Sequence, residues 1–178
     1  MPEGITLQKL PKERKSAFFG YYDKCPWSPC GRYMAALETD VRVQAPAPED
    51  TADVVVYDTH EDYQPRKVAE TRAWSWQQGA MIHWLPQHAA SEPAIIFNDR
   101  EGDQFISRVV SVEGDNIQGY EKPIYNVSAD GQKALFLNFS RLGRTRPGYG
   151  YPGGHDPSED ELCPNGDGIY MLDLTTGG

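Results

Sequence analysis

The sequence predicts an all-β fold in which one unit of antiparallel strands recurs along the chain. Three observations lead to this prediction. The turn Ser-Pro-Cys-Gly at residues 28–31 precedes an apolar run, and Ser-Ala-Asp-Gly at residues 128–131 precedes another. A looser copy has Trp-Leu-Pro at residues 84–86 before the apolar residues 95–97. The apolar runs after these turns, such as residues 33–37, have the length of single strands.

The turn at residues 28–31 explains why strands meet there. Pro29 fixes φ at the first central position, and Gly31 supplies the backbone freedom that a tight turn needs. We therefore expect one strand to end near Trp27 and another to begin near Arg32, as in a β-hairpin.

The first unit covers about residues 18–70. It has a lead-in and three further strands, which we expect at residues 18–23, 33–37, 53–58 and 66–70. Residues 40–53 contain Pro46 and Pro48 and form a loop between the second and third strands. Upstream, residues 5–10 alternate apolar and polar side chains, which predicts a short strand.

The next units repeat this order. The second covers about residues 74–120, and its later strands are expected at residues 94–98, 105–112 and 117–120. The third covers about residues 123–178, with strands expected at residues 134–138 and 169–174. The sequence ends in the turn before a fourth strand, so we expect the third unit to be incomplete.

The order of turn, apolar strand and Val-Tyr-Asp strand in residues 28–58 resembles the repeat of WD40-like and TolB-like β-propellers. Cys30 stands where that repeat has Asp, and Ala129 stands where it has Pro. A propeller blade spans ~40 to 45 residues and has four antiparallel strands. The resemblance implies a single domain of about three such blades, which is a partial ring.

A partial ring would leave apolar faces and strand edges exposed. We therefore expect further C-terminal blades or self-association to cover them. Under this reading, residues 5–10 complete the last blade of the ring.

Composition excludes some classes of function. A net charge of -9 and a pI near 4.9 argue against nucleic-acid binding. No apolar run approaches the ~20 residues that span a membrane. The cysteines Cys25, Cys30 and Cys163 lack the spacing of a metal site and suit a reducing compartment, so we expect a cytoplasmic protein.

The resemblance places several connections on one face, namely residues 17–23, 40–53, 71–79 with 98–103, and 138–168. Indoles, phenols, amides and guanidinium groups concentrate there, and together they suit a polyhydroxylated or anionic ligand. The candidate ligand-binding residues are Arg72, Trp74, Trp76, Gln77, Gln78, Arg144, Arg146, Tyr149 and Tyr151. The alternative for the indoles is that Trp76 packs between units and Trp74 stacks on Arg72.

Metal and catalytic sites are less clearly marked. Asp99, Glu101 and Asp103 could bind a divalent cation, but a plain acidic turn accounts for them as well. His155 and Asp156 could ligate a metal or exchange a proton, although a single loop histidine is more often a surface residue. We assign no cofactor, no metal ligand and no catalytic residue.

Three functions are open. The first is binding of a small molecule, above all a carbohydrate, on the face described above. The second is a lyase or hydrolase acting on acidic oligosaccharides, because the resemblance extends distantly to oligogalacturonate lyases, which use a metal. The third is a protein-interaction scaffold, a common use of WD40-like rings.

Overall fold

The structure, a computed structural model, describes residues 4, 6–86, 88 and 93–176. These residues form three antiparallel sheets and one short helix, and none of the sheets closes on itself. The first sheet, sheet 1, joins β1 (Ser16–Phe18), β2 (Tyr33–Thr39), β3 (Ala52–Asp58) and β4 (Pro65–Thr71) in that order.

Sheet 2 joins β5 (His83–Leu85), β6 (Ala94–Glu101), β7 (Gln104–Ser111) and β8 (Asn116–Tyr120) in the same way. Sheet 3 has the three strands β9 (Asn126–Val127), β10 (Lys133–Phe136) and β11 (Tyr170–Asp173), and the helix α1 (Phe139–Thr145) follows β10. No helix in the described ranges has the length and apolar character needed to cross a membrane. The all-β prediction is confirmed, whereas α1 was not predicted.

The two predicted turns have the same geometry. In the first, the Gly31 N–H donates to the Ser28 carbonyl at 2.9 Å, and the Ser28 hydroxyl accepts from the Tyr33 N–H at 3.0 Å. Residues 128–133 repeat both bonds at 2.9 Å and 3.0 Å. The central glycine has φ of +73° in each copy, which is the freedom that the sequence assigned to it. The repeat is therefore structural.

The sheets pack face to face in chain order. Alternate residues of β6 serve two cores: Ile95 and Phe97 face sheet 1, whereas Ala94 and Ile96 face sheet 3. All four side chains are fully buried. A strand that is covered on both faces reads as a continuous apolar run, which explains the sequence of β6.

The first lead-in strand lies earlier in the chain than expected, because β1 (Ser16–Phe18) shares only Phe18 with the expected range 18–23. β1 ends at Phe18, and the chain rejoins β2 only through an isolated bridge between Trp27 and Met34. Between them, Gly20 has φ of +116°, and a Cβ there would lie 2.9 Å from the Gln78 carbonyl oxygen. The chain after Phe18 therefore packs against the backbone of Gln78 and does not continue its pairing with β2.

The strand expected at residues 5–10 is not found at residues 6–10, and Ile5 lies outside the described residues. Instead, Leu10 packs on the outer face of sheet 1, and the buried carboxylate of Glu38 accepts from the N–H groups of Glu13 and Arg14, each at 2.8 Å. The segment therefore lies across the face of a sheet, where no strand edge is available for pairing.

Candidate functional site

Several connections meet at one end of the sheets. We call this end the loop face and define it by residues 19–23, 40–51, 72–82, 98–103 and 137–169. The Trp76 indole N–H donates to the Gln44 carbonyl at 2.7 Å, and the His155 N–H donates to the Asp103 carbonyl at 3.1 Å. Arg100 donates to the carbonyl of Pro48. The prediction that these connections lie together is confirmed.

The tryptophans lie beneath this face. Trp74 is fully buried in the core between sheets 1 and 2, and Trp76 packs edge-to-face on it at 5.3 Å between ring centroids. The ring of Phe18 lies 4.7 Å from that of Trp76. Trp74 thus offers no face to a ligand, and Trp76 follows the packing alternative.

The remaining residues of this stretch divide by exposure. The Arg72 and Gln77 side chains are exposed, whereas Gln78 is 2% exposed. The Arg72 N–H donates to the Asp99 carboxylate at 3.1 Å, which holds the backbone and leaves the guanidinium outside. Arg72 and Gln77 are therefore the accessible candidates here.

The long loop also divides its candidates. Tyr151 is buried and stacks on Phe139 at 4.7 Å, with its hydroxyl accepting from Asn98 at 3.0 Å. Arg144 donates to the buried Asp156 carboxylate at 3.1 Å. Tyr151 is a core residue and Arg144 is an ion-paired one, so neither is free for a ligand in this structure.

A cluster of rings remains at the surface, which we call the tyrosine cluster: the exposed Tyr22, the half-buried Tyr21 and Tyr149, and the guanidinium of Arg146. Ring centroids are 4.3 Å apart for Tyr21 and Tyr22 and 6.1 Å apart for Tyr21 and Tyr149. The Arg146 guanidinium lies 4.3 Å above the Tyr149 ring, and Tyr22 is 85% exposed. A Cβ on Gly148 would lie 4.0 Å from Cγ of Gln77, so this amide borders the cluster.

The phenols of this cluster influence each other. A hydrogen bond with Tyr149 raises the pKa of Tyr21 to about 12. The same bond, followed by Arg146, lowers the pKa of Tyr149. Tyr149 is thus the more acidic phenol of the pair. The sequence places residues 17–23 on this face, but it does not single out Tyr21 and Tyr22, for which aromatic density was the available signal.

Most of the arginines on the loop face differ from those elsewhere in the described chain in having no carboxylate partner. Six of the ten arginines pair with carboxylates, namely Arg14, Arg32, Arg66, Arg108, Arg141 and Arg144. The other four have no carboxylate partner among the described residues, and all four belong to the loop face: Arg42, Arg72, Arg100 and Arg146. Four guanidinium groups of this face are therefore not held in ion pairs within the described residues, although the face as a whole has more acidic side chains than basic ones.

The acidic candidates are engaged elsewhere. Asp99 and Glu101 each accept from Arg108 at 2.7 Å, so two of the three proposed cation ligands already hold a cation. Burial alone would raise the pKa of Asp156, but hydrogen bonds from Arg144 and Asn138 outweigh it and lower the pKa. Within the described ranges, no three His, Cys, Asp or Glu side chains are grouped as a metal would require.

No family model matches this chain, and neither a curated protein nor a solved structure does. The loop face itself therefore carries the argument for function.

Proposed function

We propose that the three sheets are blades of a β-propeller and that the loop face binds an anionic, polyhydroxylated small molecule. A carboxylate-bearing oligosaccharide is the ligand class that suits it. The repeated turn geometry and the face-to-face stacking of the sheets support the first part.

The observation that carries the second part is that four arginines have no carboxylate partner within the part of the chain that the structure describes. In a chain of net charge -9, six guanidinium groups pair with carboxylates. The four that pair with none of the described carboxylates all belong to the loop face. A guanidinium binds a carboxylate or phosphate through paired, charge-assisted hydrogen bonds. An anionic ligand would supply the carboxylate partners that these guanidinium groups lack among the described residues.

The tyrosine cluster supplies the polyhydroxylated part of the specificity. The exposed ring of Tyr22 and the accessible parts of Tyr21 and Tyr149 offer flat apolar surfaces to the C–H face of a sugar ring, and their hydroxyls bind its hydroxyls. Arg146 already stacks on Tyr149, which fixes the guanidinium beside such a surface. Gln77 adds a donor and an acceptor at the border of the cluster.

Calorimetric titration tests the proposal. We expect galacturonate trimers to bind and neutral galactose trimers of the same length to bind at least about tenfold more weakly, because only the former engage the arginines. Rising salt should weaken the binding of the galacturonate trimer.

Arg146→Gln should cost about tenfold in affinity for the galacturonate trimer. The matched control is Arg66→Gln, since Arg66 lies on β4 and pairs with Glu61 and Glu113. Equal affinities for the acidic and neutral trimers, or equal losses in the two variants, would contradict the proposal.

A further inference from the structure

A cleft of about 680 Å³ opens between sheets 2 and 3. We call it the inter-sheet cleft. It is bounded by the β6–β7 hairpin, the β8–β9 connection, the end of β10 and the last part of the long loop. Its volume lies in the range of about 300 to 1,000 Å³ that is usual for small-molecule sites.

One wall of the cleft is aromatic. Phe136 and Tyr170 are cross-strand partners on β10 and β11, and their rings stack at 5.2 Å with an interplanar angle of 18°. Phe105 and Phe139 also line the cleft, and both are buried. Tyr170 keeps 44% of its surface exposed, so the stack presents a ring face supported from behind.

The rim of the cleft is polar. Asp103, Gln104, Glu121 and Ser140 line it, and their side chains make no hydrogen bond or ion pair with other described residues. Planar carboxylates and amides bind pairs of neighbouring hydroxyl groups through two hydrogen bonds. The four loop-face arginines that pair with no described carboxylate, Arg42, Arg72, Arg100 and Arg146, do not line this cleft.

The charge of the rim selects among ligands. Asp167 also lines the cleft, but Arg141 neutralises it at 2.9 Å. Asp103 and Glu121 keep their charge uncompensated, and only Lys122 opposes them among the lining residues with a permanent charge. Such a rim repels carboxylates and accepts hydrogen bonds from hydroxyls.

We propose that the inter-sheet cleft is a second binding site, which takes a neutral sugar ring on Tyr170 with its hydroxyls on Asp103, Gln104 and Glu121. This site differs in polarity from the arginine-bearing part of the loop face. It does not rest on the function proposed above.

Amide and side-chain NMR shifts recorded during titration with cellobiose, maltose and lactose test this site. For at least one of the three, the lining segments around residues 103–105, 121–123, 136–140 and 166–170 should shift together, with half-saturation in the millimolar range. Tyr170→Leu should weaken binding about fivefold because the ring face is lost. Trp27→Leu, at an exposed aromatic residue outside both the cleft and the tyrosine cluster, should leave the titration unchanged.

Glu121→Gln separates the charge from the shape of the rim. It should leave the neutral disaccharide within about threefold of its original affinity and should allow galacturonic acid to shift the same segments. The site would be refuted if none of the three sugars shifted these segments, or if Tyr170→Leu changed nothing. Arg146→Gln should not affect the shifts of the cleft segments. The cleft site can therefore be refuted or supported independently of the function proposed above.

Discussion

Arg32 and Asp58 show how one side-chain pair fixes the end of a strand. The Arg32 guanidinium donates to both carboxylate oxygens of Asp58, at 2.9 Å and 2.6 Å, and the His60 N–H donates to the same carboxylate at 2.9 Å. Asp173 in the third unit makes the equivalent backbone bond with Thr175 at 2.8 Å. There Gln132 follows the turn, so the aspartate has the turn contact without the ion pair.

This difference predicts the effect of substitution. Asp58→Asn should lower the free energy of unfolding at pH 7 by about 1 kcal/mol, a modest value because Arg32 is 41% exposed. Asp173→Asn is the matched control and should cost less. Urea denaturation measures both, and equal losses would show that the ion pair contributes nothing.

The contribution of the pair also depends on pH. Arg32, chiefly through its hydrogen bonds, lowers the pKa of Asp58 below the ordinary carboxyl value. A carboxyl whose folded pKa is depressed stabilises the fold above its unfolded pKa and loses that effect as the pH falls through its folded pKa. The difference between the wild type and Asp58→Asn should therefore be constant near neutrality and shrink below about pH 4.

Among the elements, β1 and its continuation depend on a contact that the local sequence does not reveal. Gly20 approaches the backbone of Gln78 and Gly79, far along the chain, and its positive φ lets the segment pass. Gly31 has a positive φ as well, but a Cβ there would meet no atom within 4 Å. Substitution of either glycine therefore strains the backbone, more so at Gly20 because its φ of +116° lies outside the left-handed α region, and Gly20 alone adds a steric contact.

We expect Gly20→Ala to lower the free energy of unfolding by about 2 kcal/mol and Gly31→Ala by about 1 kcal/mol. The added cost at position 20 comes from the less accessible φ and from the 2.9 Å contact with the Gln78 carbonyl oxygen. Urea denaturation of both variants measures the difference. A smaller loss for Gly20→Ala than for Gly31→Ala would mean that the contact relaxes freely.

Local pattern predicted the elements well where local chemistry decides them. The turns at residues 28–31 and 128–131, and the strands that became β2, β3, β6 and β7, follow from turn residues and apolar runs. Local pattern failed where distant contacts decide. Residues 10–14 lie on sheet 1 because of Glu38, and no pattern within them shows this.

Only the outline of the candidate site was predicted. The meeting of the connections was expected from the resemblance to a propeller repeat, whereas burial of Trp74 and Tyr151 depends on the final packing. Which arginines lack partners also depends on where each carboxylate lies in space, which sequence spacing does not determine.

At the scale of the whole molecule, sheet 3 has an exposed apolar face. The corresponding face of sheet 1 is buried against sheet 2. Counting from the repeated turns, Leu135 and Met171 correspond to Ala35 and Val56, which are buried against sheet 2. Leu135 is 46% exposed and Met171 is 62% exposed. The expectation that further blades or another copy cover this surface remains a prediction.

Self-association of the 178-residue chain tests it. We expect light scattering to show a mass that rises with protein concentration, and Leu135→Glu with Met171→Glu to abolish the rise because charge cannot be buried there. Val43→Glu, at another exposed apolar residue, is the matched control. A wild-type mass that stays monomeric throughout would contradict self-association.

The two-sided burial of β6 has a consequence for how the chain loses its structure. Sheets 1 and 3 each share a core with one described neighbour, whereas sheet 2 shares a core with both. In a linear stack whose stability resides in contacts between neighbours, the outer layers can detach while the middle persists, but loss of the middle layer removes every interface. Sheet 2 is therefore the part on which cooperativity depends, and the protons of its amides should be the slowest to exchange with solvent.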